Sequence, residues 1–137
     1  MIKPALQDEA FLADVRDAAS LQDNLHIWWL GQSGFLVQWS GSHLLFDPYL
    51  SDSLSRKYAA TDKPHTRMTE LVISPDALDF IDIATSSHNH TDHLDGETLS
   101  ALIQVNPEMQ LLVPAANRAF AADRLGMAPA QRQAKEC

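Results

Sequence analysis

Apolar side chains at Leu6, Ala10, Leu12, Val15, Ala19 and Leu21 recur every few positions through "ALQDEAFLADVRDAASLQ", a stripe that predicts a helix over 5–22. The period then shortens. "HIWWL" (26–30), "GFLVQW" (34–39) and "HLLFD" (43–47) are short runs of aromatic and branched residues, separated by "GQSG" (31–34) and "SGS" (40–42). These are expected to be consecutive antiparallel strands joined by tight turns. Gln38 alternates with Val37 and Trp39, so the two faces of this hairpin sheet should differ in polarity. Residues 47–70 form a long polar connection with a helical turn near 52–58, and loops of this length in compact domains are often functional. "DFIDIATSS" (79–87) reads as a strand, "DGETLSALIQV" (95–105) as a helix with Asp95 at its N-cap, "MQLLVP" (109–114) as a strand and "AANRAFAADRLG" (115–126) as a helix stopped by Gly126. Helix, three strands, loop, then strand, helix, strand, helix is a layered α/β pattern.

The strand over 79–87 runs directly into "SSHNHTDHLDGE" (86–97), which holds His88, His90, Asp92 and His93, half of the chain's 6 histidines. On an extended segment residues i and i+2 point to one side, so His88 and His90 converge on one point. Asp92 and His93 follow on a loop that must turn before the next helix, and they converge on a second point nearby. Imidazole and carboxylate are the usual ligands of Zn²⁺, Mn²⁺ and Fe²⁺. The carboxyl end of a strand is also where open α/β folds place ligands. At this chain's own residue usage the pattern arises by chance on the order of once in a thousand such sequences, which favours metal binding over a pH-sensing cluster or a surface histidine patch.

Charge and cysteine usage narrow the partners. The formal net charge is −8, which argues against nonspecific binding to nucleic acid or to an anionic membrane. Bound cations would offset part of it. No apolar stretch approaches the length of a membrane span, and "MIKPALQDEA" lacks the apolar segment of a secretory signal. Cys137 is the only cysteine and ends the chain, so nothing requires an oxidising compartment and a cytoplasmic location is expected. In "KYAATDKPHTRMTE" (57–70), His65 and Arg67, with Lys57 and Lys63, are candidates to meet a small anionic substrate, arginine being suited to bidentate phosphate contact. The plain alternative is a solvated charged loop. Trp28 and Trp29 read as core and sheet-face residues, His26 and His43 as structural.

"SSHNHTDHLDG" resembles the H-x-H-x-D-H metal signature of the metallo-β-lactamase superfamily. "WWLGQSGFLVQWSGSHLLFDPYLSD" resembles the opening hairpin and third strand of the branch containing ascorbate-6-phosphate lactonase and N-acyl-phosphatidylethanolamine phospholipase D-like hydrolases. The resemblance covers about residues 25–126. It implies that His88 and His90 ligate a first metal, that Asp92 and His93 ligate a second, and that Asp92 is the catalytic carboxylate. Asp47 would lie beneath the metal histidines and orient an imidazole from outside the ligand set. Gln32 departs from the branch, where histidine is common at this turn, and reads as a plain hairpin residue.

The cluster supplies four donors, two per metal, whereas two metals need about six protein ligands. No histidine follows His93, and Asp95, Glu97, Glu108, Asp123 and Glu136 lie on helices or near their ends with no matching motif. In the superfamily the remaining ligands, a histidine, a bridging aspartate and a final histidine, come from later in the chain. Residues 1–137 are therefore expected to be the amino-terminal half of a four-layer αββα sandwich: one mixed sheet with helices on its outer face, the second half absent. Its uncovered inner sheet face, if about 600 Å² of apolar area, would cost on the order of 15 kcal/mol, which rivals the stability of a whole domain. Either two copies pair through that face or the natural product continues beyond Cys137. "APAQRQAKEC" (128–137) carries no element pattern.

The resemblance implies a metal-dependent hydrolase, using zinc or manganese (iron less so), whose metal-bound hydroxide attacks a phosphodiester or a lactone; little turnover is expected of the chain alone. The alternative is a non-catalytic metal-binding or interaction module formed by an incomplete half domain. Redox chemistry at a di-iron site ranks last, because no flavin-binding segment is visible.

Overall fold

Residues 1–127 are described by a computed structural model; the tail 128–137, expected to carry no element, lies outside the described residues. Three strands form a meander where the period-2 runs predicted it: β1 (His26–Gly31), β2 (Gly34–Trp39) and β3 (Ser42–Phe46). The β2–β3 turn puts Ser40 and Gly41 both at positive φ, the geometry whose twist matches paired antiparallel strands. After β3 the chain crosses over through α2 (Ser53–Tyr58) and returns as β4 (Ile83–Thr85), parallel to β3; α3 (Gly96–Val105) then leads to β5 (Gln110–Leu112), parallel to β4. The sheet order is β1-β2-β3-β4-β5. The mixed α/β class with helices on one side of one sheet is as expected. The strands predicted over 79–87 and 109–114 shrink to three residues each, because the chain meets a sheet neighbour only there.

Helix α1 (Asp8–Ala18) is shorter than the apolar stripe that predicts it, and α4 (Arg118–Arg124) follows a single 3₁₀ turn at Pro-flanked Ala115–Asn117. Phe11 and Val15 of α1, Leu99 and Leu102 of α3 and Ala121 of α4 join Leu36, Leu45 and Ala84 of the sheet in one buried cluster. Trp28 packs against it, edge-on to Phe11 with ring centroids 6.3 Å apart, while its indole N–H donates to Asp14 at 2.8 Å. Among the described residues no helix is long and apolar enough to cross a membrane.

The two faces do differ, in the sense opposite to a polar-outside rule. Gln38 is buried and Trp39 is 60% exposed. The reason is local to α1. With its amide oriented to suit, Gln38 donates to the carbonyl of Val15 at 3.2 Å and accepts from the N–H of Ala19 at 3.1 Å, so it satisfies backbone groups at the helix end. On the other face, the strand register sets Ile27, Val37 and Leu44 in one row and Trp29, Phe35 and Phe46 in the next. Ile27, Trp29, Phe35, Trp39 and Phe46 are all at least 40% exposed. Nothing among the described residues covers this apolar face.

Candidate metal centre

Parallel pairing of β3 with β4 sets their carboxyl ends side by side. Asp47 leaves β3 in the left-handed region at φ 42°, a conformation that Asp and Asn tolerate better than most residues. This aims its carboxylate at the loop leaving β4. One carboxylate oxygen accepts from the Thr85 hydroxyl and from the Ser87 N–H, both at 2.9 Å; the other accepts from the Ser87 hydroxyl and from His93 Nδ1, the latter at 2.7 Å. Burial alone would push the Asp47 carboxyl up, but the Ser87 side chain, His93, Thr85 and the Ser87 backbone together hold it below the usual carboxylate value. It is an anion well matched to its donors.

The histidines gather above it. His88 Nε2 faces His90 Nδ1 at 3.0 Å, and His93 Nε2 lies 3.7 Å from an Asp92 oxygen. The rings of His88 and His93 stand 4.0 Å apart between centroids. Two donors of one cation at bond lengths of about 2.1 Å lie roughly 3.0 to 3.4 Å apart, so the first pair already has the spacing of ligands on a shared ion and the second needs only a small closure. Two imidazole nitrogens that approach to 3.0 Å must share either a proton or a cation. Asp47, His88 and His93 also bring donor atoms within 4.8 Å of one another. Asp47 nevertheless fits poorly as a ligand, because its four hydrogen bonds already use the lone-pair sites a carboxylate has. The donor set therefore suits a divalent cation, with Asp47 holding the His93 imidazole from behind.

The loop is fastened at both ends. Arg124 of α4 donates through Nη1 to the carbonyls of Asn89 at 3.0 Å and Leu94 at 2.9 Å, with its guanidinium on the Phe120 ring. The Ser33 hydroxyl, from the β1–β2 turn, donates to the Asp92 carbonyl at 3.0 Å. Asp95 is fully committed as the N-cap of α3, accepting from the Thr98 N–H and from the Ser53 hydroxyl. Glu97 pairs with Arg56. Neither carboxylate is a spare ligand.

From the 57–70 loop, the structure places His65 half-buried, with Nε2 3.5 Å from the Gln32 amide nitrogen, so Gln32 is in contact with that loop as well as in its turn. Arg67, the other candidate from this loop to meet an anionic substrate, is not solvated. It is 4% exposed, lies over the Tyr49 ring, and donates to the carbonyls of Ser51 at 2.8 Å and of Tyr49 and Thr69 at 3.3 Å. Three backbone carbonyls tie this guanidinium into the crossover, and its Nη2 is left without a hydrogen-bond partner. Sequence reading missed Ser33, Thr85, Ser87 and Arg124. Only Ser87, adjacent to His88, carried any local signal.

A model of the beta-lactamase superfamily domain matches residues 26–129. The chain belongs to this family. The metallo-β-lactamase fold that the family carries implies a divalent metal, and the donor pairs above suit one. Two curated relatives are similar. N-acyl-phosphatidylethanolamine-hydrolyzing phospholipase D 1 of Caenorhabditis elegans is 30% identical over 94 residues, 68% of this chain and 25% of the relative. The mitochondrial N-acyl-phosphatidylethanolamine-hydrolyzing phospholipase D of Saccharomyces cerevisiae is 38% identical over 71 residues, 52% of this chain and 14% of the relative. The chain thus spans a quarter or less of the relatives it matches. It is a member of a metal-dependent hydrolase family and corresponds to part of those proteins.

Proposed function

We propose that this chain carries the amino-terminal part of the metal centre of a hydrolase that cleaves a phosphodiester. The observation that carries the reading is the paired spacing of donors, His88 with His90 and Asp92 with His93, over the anionic Asp47. Phosphodiester is favoured over lactone, and over the ascorbate-6-phosphate lactonase side of the branch, because both relatives are named as phospholipases D. When bound, zinc or manganese would acidify water and stabilise charge on the substrate oxygen. The chain's own groups would have separate tasks in this reading: His88 and His90 at one cation position, Asp92 and His93 at the other, with His65 and Arg67 of the 57–70 loop as candidates to meet substrate.

Among the described residues each cation position receives two donors, against three for a catalytic zinc. We assign the missing donors to further polypeptide seated on the apolar face of Trp29, Phe35, Trp39 and Phe46, either a following half of the domain or a second copy. In light scattering the purified 137 residues are expected to self-associate, and Trp39→Lys with Phe46→Lys to shift them toward monomer; a wild-type chain that is monomeric and melts cooperatively contradicts this assignment.

Two donors per cation also favour a second reading, a non-catalytic metal-binding module. Elemental analysis combined with hydrolysis of bis-p-nitrophenyl phosphate separates the two. Two retained ions with turnover support the hydrolase; one weakly held ion without turnover supports the module.

A further inference from the structure

We infer that Ser87 is a positioning residue that extends the hold of Asp47 from His93 to His88, so that one buried carboxylate sets the ring orientation and tautomer of an imidazole at each cation position. This rests on the cation-binding reading above. The Ser87 hydroxyl donates to the same Asp47 oxygen that receives His93 Nδ1, and it lies 3.0 Å from His88 Nδ1. A hydroxyl has one proton and two lone pairs. With its proton given to a carboxylate, Ser87 presents only lone pairs to His88, and His88 Nδ1 must be the donor. The chain therefore runs His88 Nδ1–H to Ser87 Oγ, Ser87 O–H to Asp47, and His93 Nδ1–H to Asp47. In both rings the proton is fixed on Nδ1 and Nε2 is left bare. Those two Nε2 atoms are the ones aimed outward, at His90 Nδ1 and at Asp92.

The contact of Ser87 Oγ with His93 Nδ1 is longer, 3.4 Å, which suits a hydroxyl spanning both rings while the His93 proton goes to the carboxylate. The device is compact because Ser87 also donates its backbone N–H to the second Asp47 oxygen. Removing the hydroxyl thus leaves the carboxylate anchored and still bonded to His93. The effect on His88 can therefore be read apart from loss of Asp47, and Ser87 is surface-exposed, so truncation leaves no cavity.

The test is long-range ¹H–¹⁵N NMR of the histidine rings in the metal-free chain at pH 8, with zinc affinity measured on the same samples. Wild type is expected to show His88 and His93 as Nδ1–H tautomers. In Ser87→Ala, His88 shifts toward the Nε2–H form while His93 keeps its signature, and zinc affinity falls about 10- to 100-fold, the range for outer partners of metal ligands. Ser87→Thr, which keeps the hydroxyl, restores both. An unchanged His88 tautomer in Ser87→Ala overturns the inference even if zinc binds tightly. A shifted tautomer in a chain that binds no zinc upholds the relay and removes the cation reading instead.

Discussion

A chain carrying His88→Ala binds zinc or manganese at least about 100-fold more weakly than wild type. The figure follows from the smaller loss, about 10- to 100-fold, that attends removal of a mere outer partner of a ligand; removing a ligand exceeds it. His88 contributes a nitrogen to the closest donor pair, 3.0 Å from His90 Nδ1, and its ring is central, contacting both His90 and His93. It lies outside the buried apolar cluster, so the metal-free melting temperature should hardly move. His26→Ala is the matched control, since His26 stacks on Trp28 at the far end of β1. Titration calorimetry against a competing chelator measures both. Equal losses in the two variants would mean that the cluster has no special claim on the cation.

The largest effect on stability is expected at Asp47. Asp47→Ala leaves the Ser87 and Thr85 hydroxyls, the Ser87 N–H and His93 Nδ1–H without their acceptor, and puts alanine at φ 42°. Orphaned donors cost about 1–3 kcal/mol each where fully buried and less at half-buried Thr85 and His93 and exposed Ser87; a net loss of about 3 kcal/mol is expected, on the order of 10 °C in Tm for a domain of this size. Asp47→Asn fits the same backbone and keeps one acceptor oxygen, so it should fold with a smaller loss and still weaken metal binding about 10- to 100-fold. The pH dependence has a definite sign. The Asp47 carboxyl sits below its ordinary value of 3.8, so its contribution is complete above that pH and is lost as pH falls through the lower, folded-state value. Asp47→Asn should flatten that acid limb in thermal melts run from pH 6 downward. If the Ala variant melts with wild type, the carboxylate is not holding the loop.

Much of this was legible from residue order because it is local. The meander strands follow from period-2 runs punctuated by Gly and Ser. The N-cap role of Asp95 follows from its place before "GETLSALIQV", and its side chain does accept from Thr98 N–H. The histidine cluster announces itself by spacing alone. Arg67 shows where such reading fails. Arginine in a polar loop is ordinarily solvated or ligand-binding, and only the path of the crossover over Tyr49 reveals three backbone carbonyls waiting for it. Gln38 is a similar case: alternation says that it faces away from Val37 and Trp39, but nothing in the strand says that α1 ends on its side with two backbone groups to satisfy.

Residue order alone thus specified the elements and the four candidate donors, since each rests on neighbours a few positions apart, while the role of Asp47 was implied only by the family resemblance. The three-dimensional arrangement decided how those parts meet. Asp47 and His93 are 46 positions apart, Arg124 and Asn89 are 35 apart, and β3 joins β4 only across a crossover of more than thirty residues. No period in the chain encodes such a meeting. It is fixed by burial of Leu36, Leu45 and Ala84 beneath the helices, which chooses one sheet face as interior and so sets the parallel strand ends, the carboxylate and the histidine loop at a common edge.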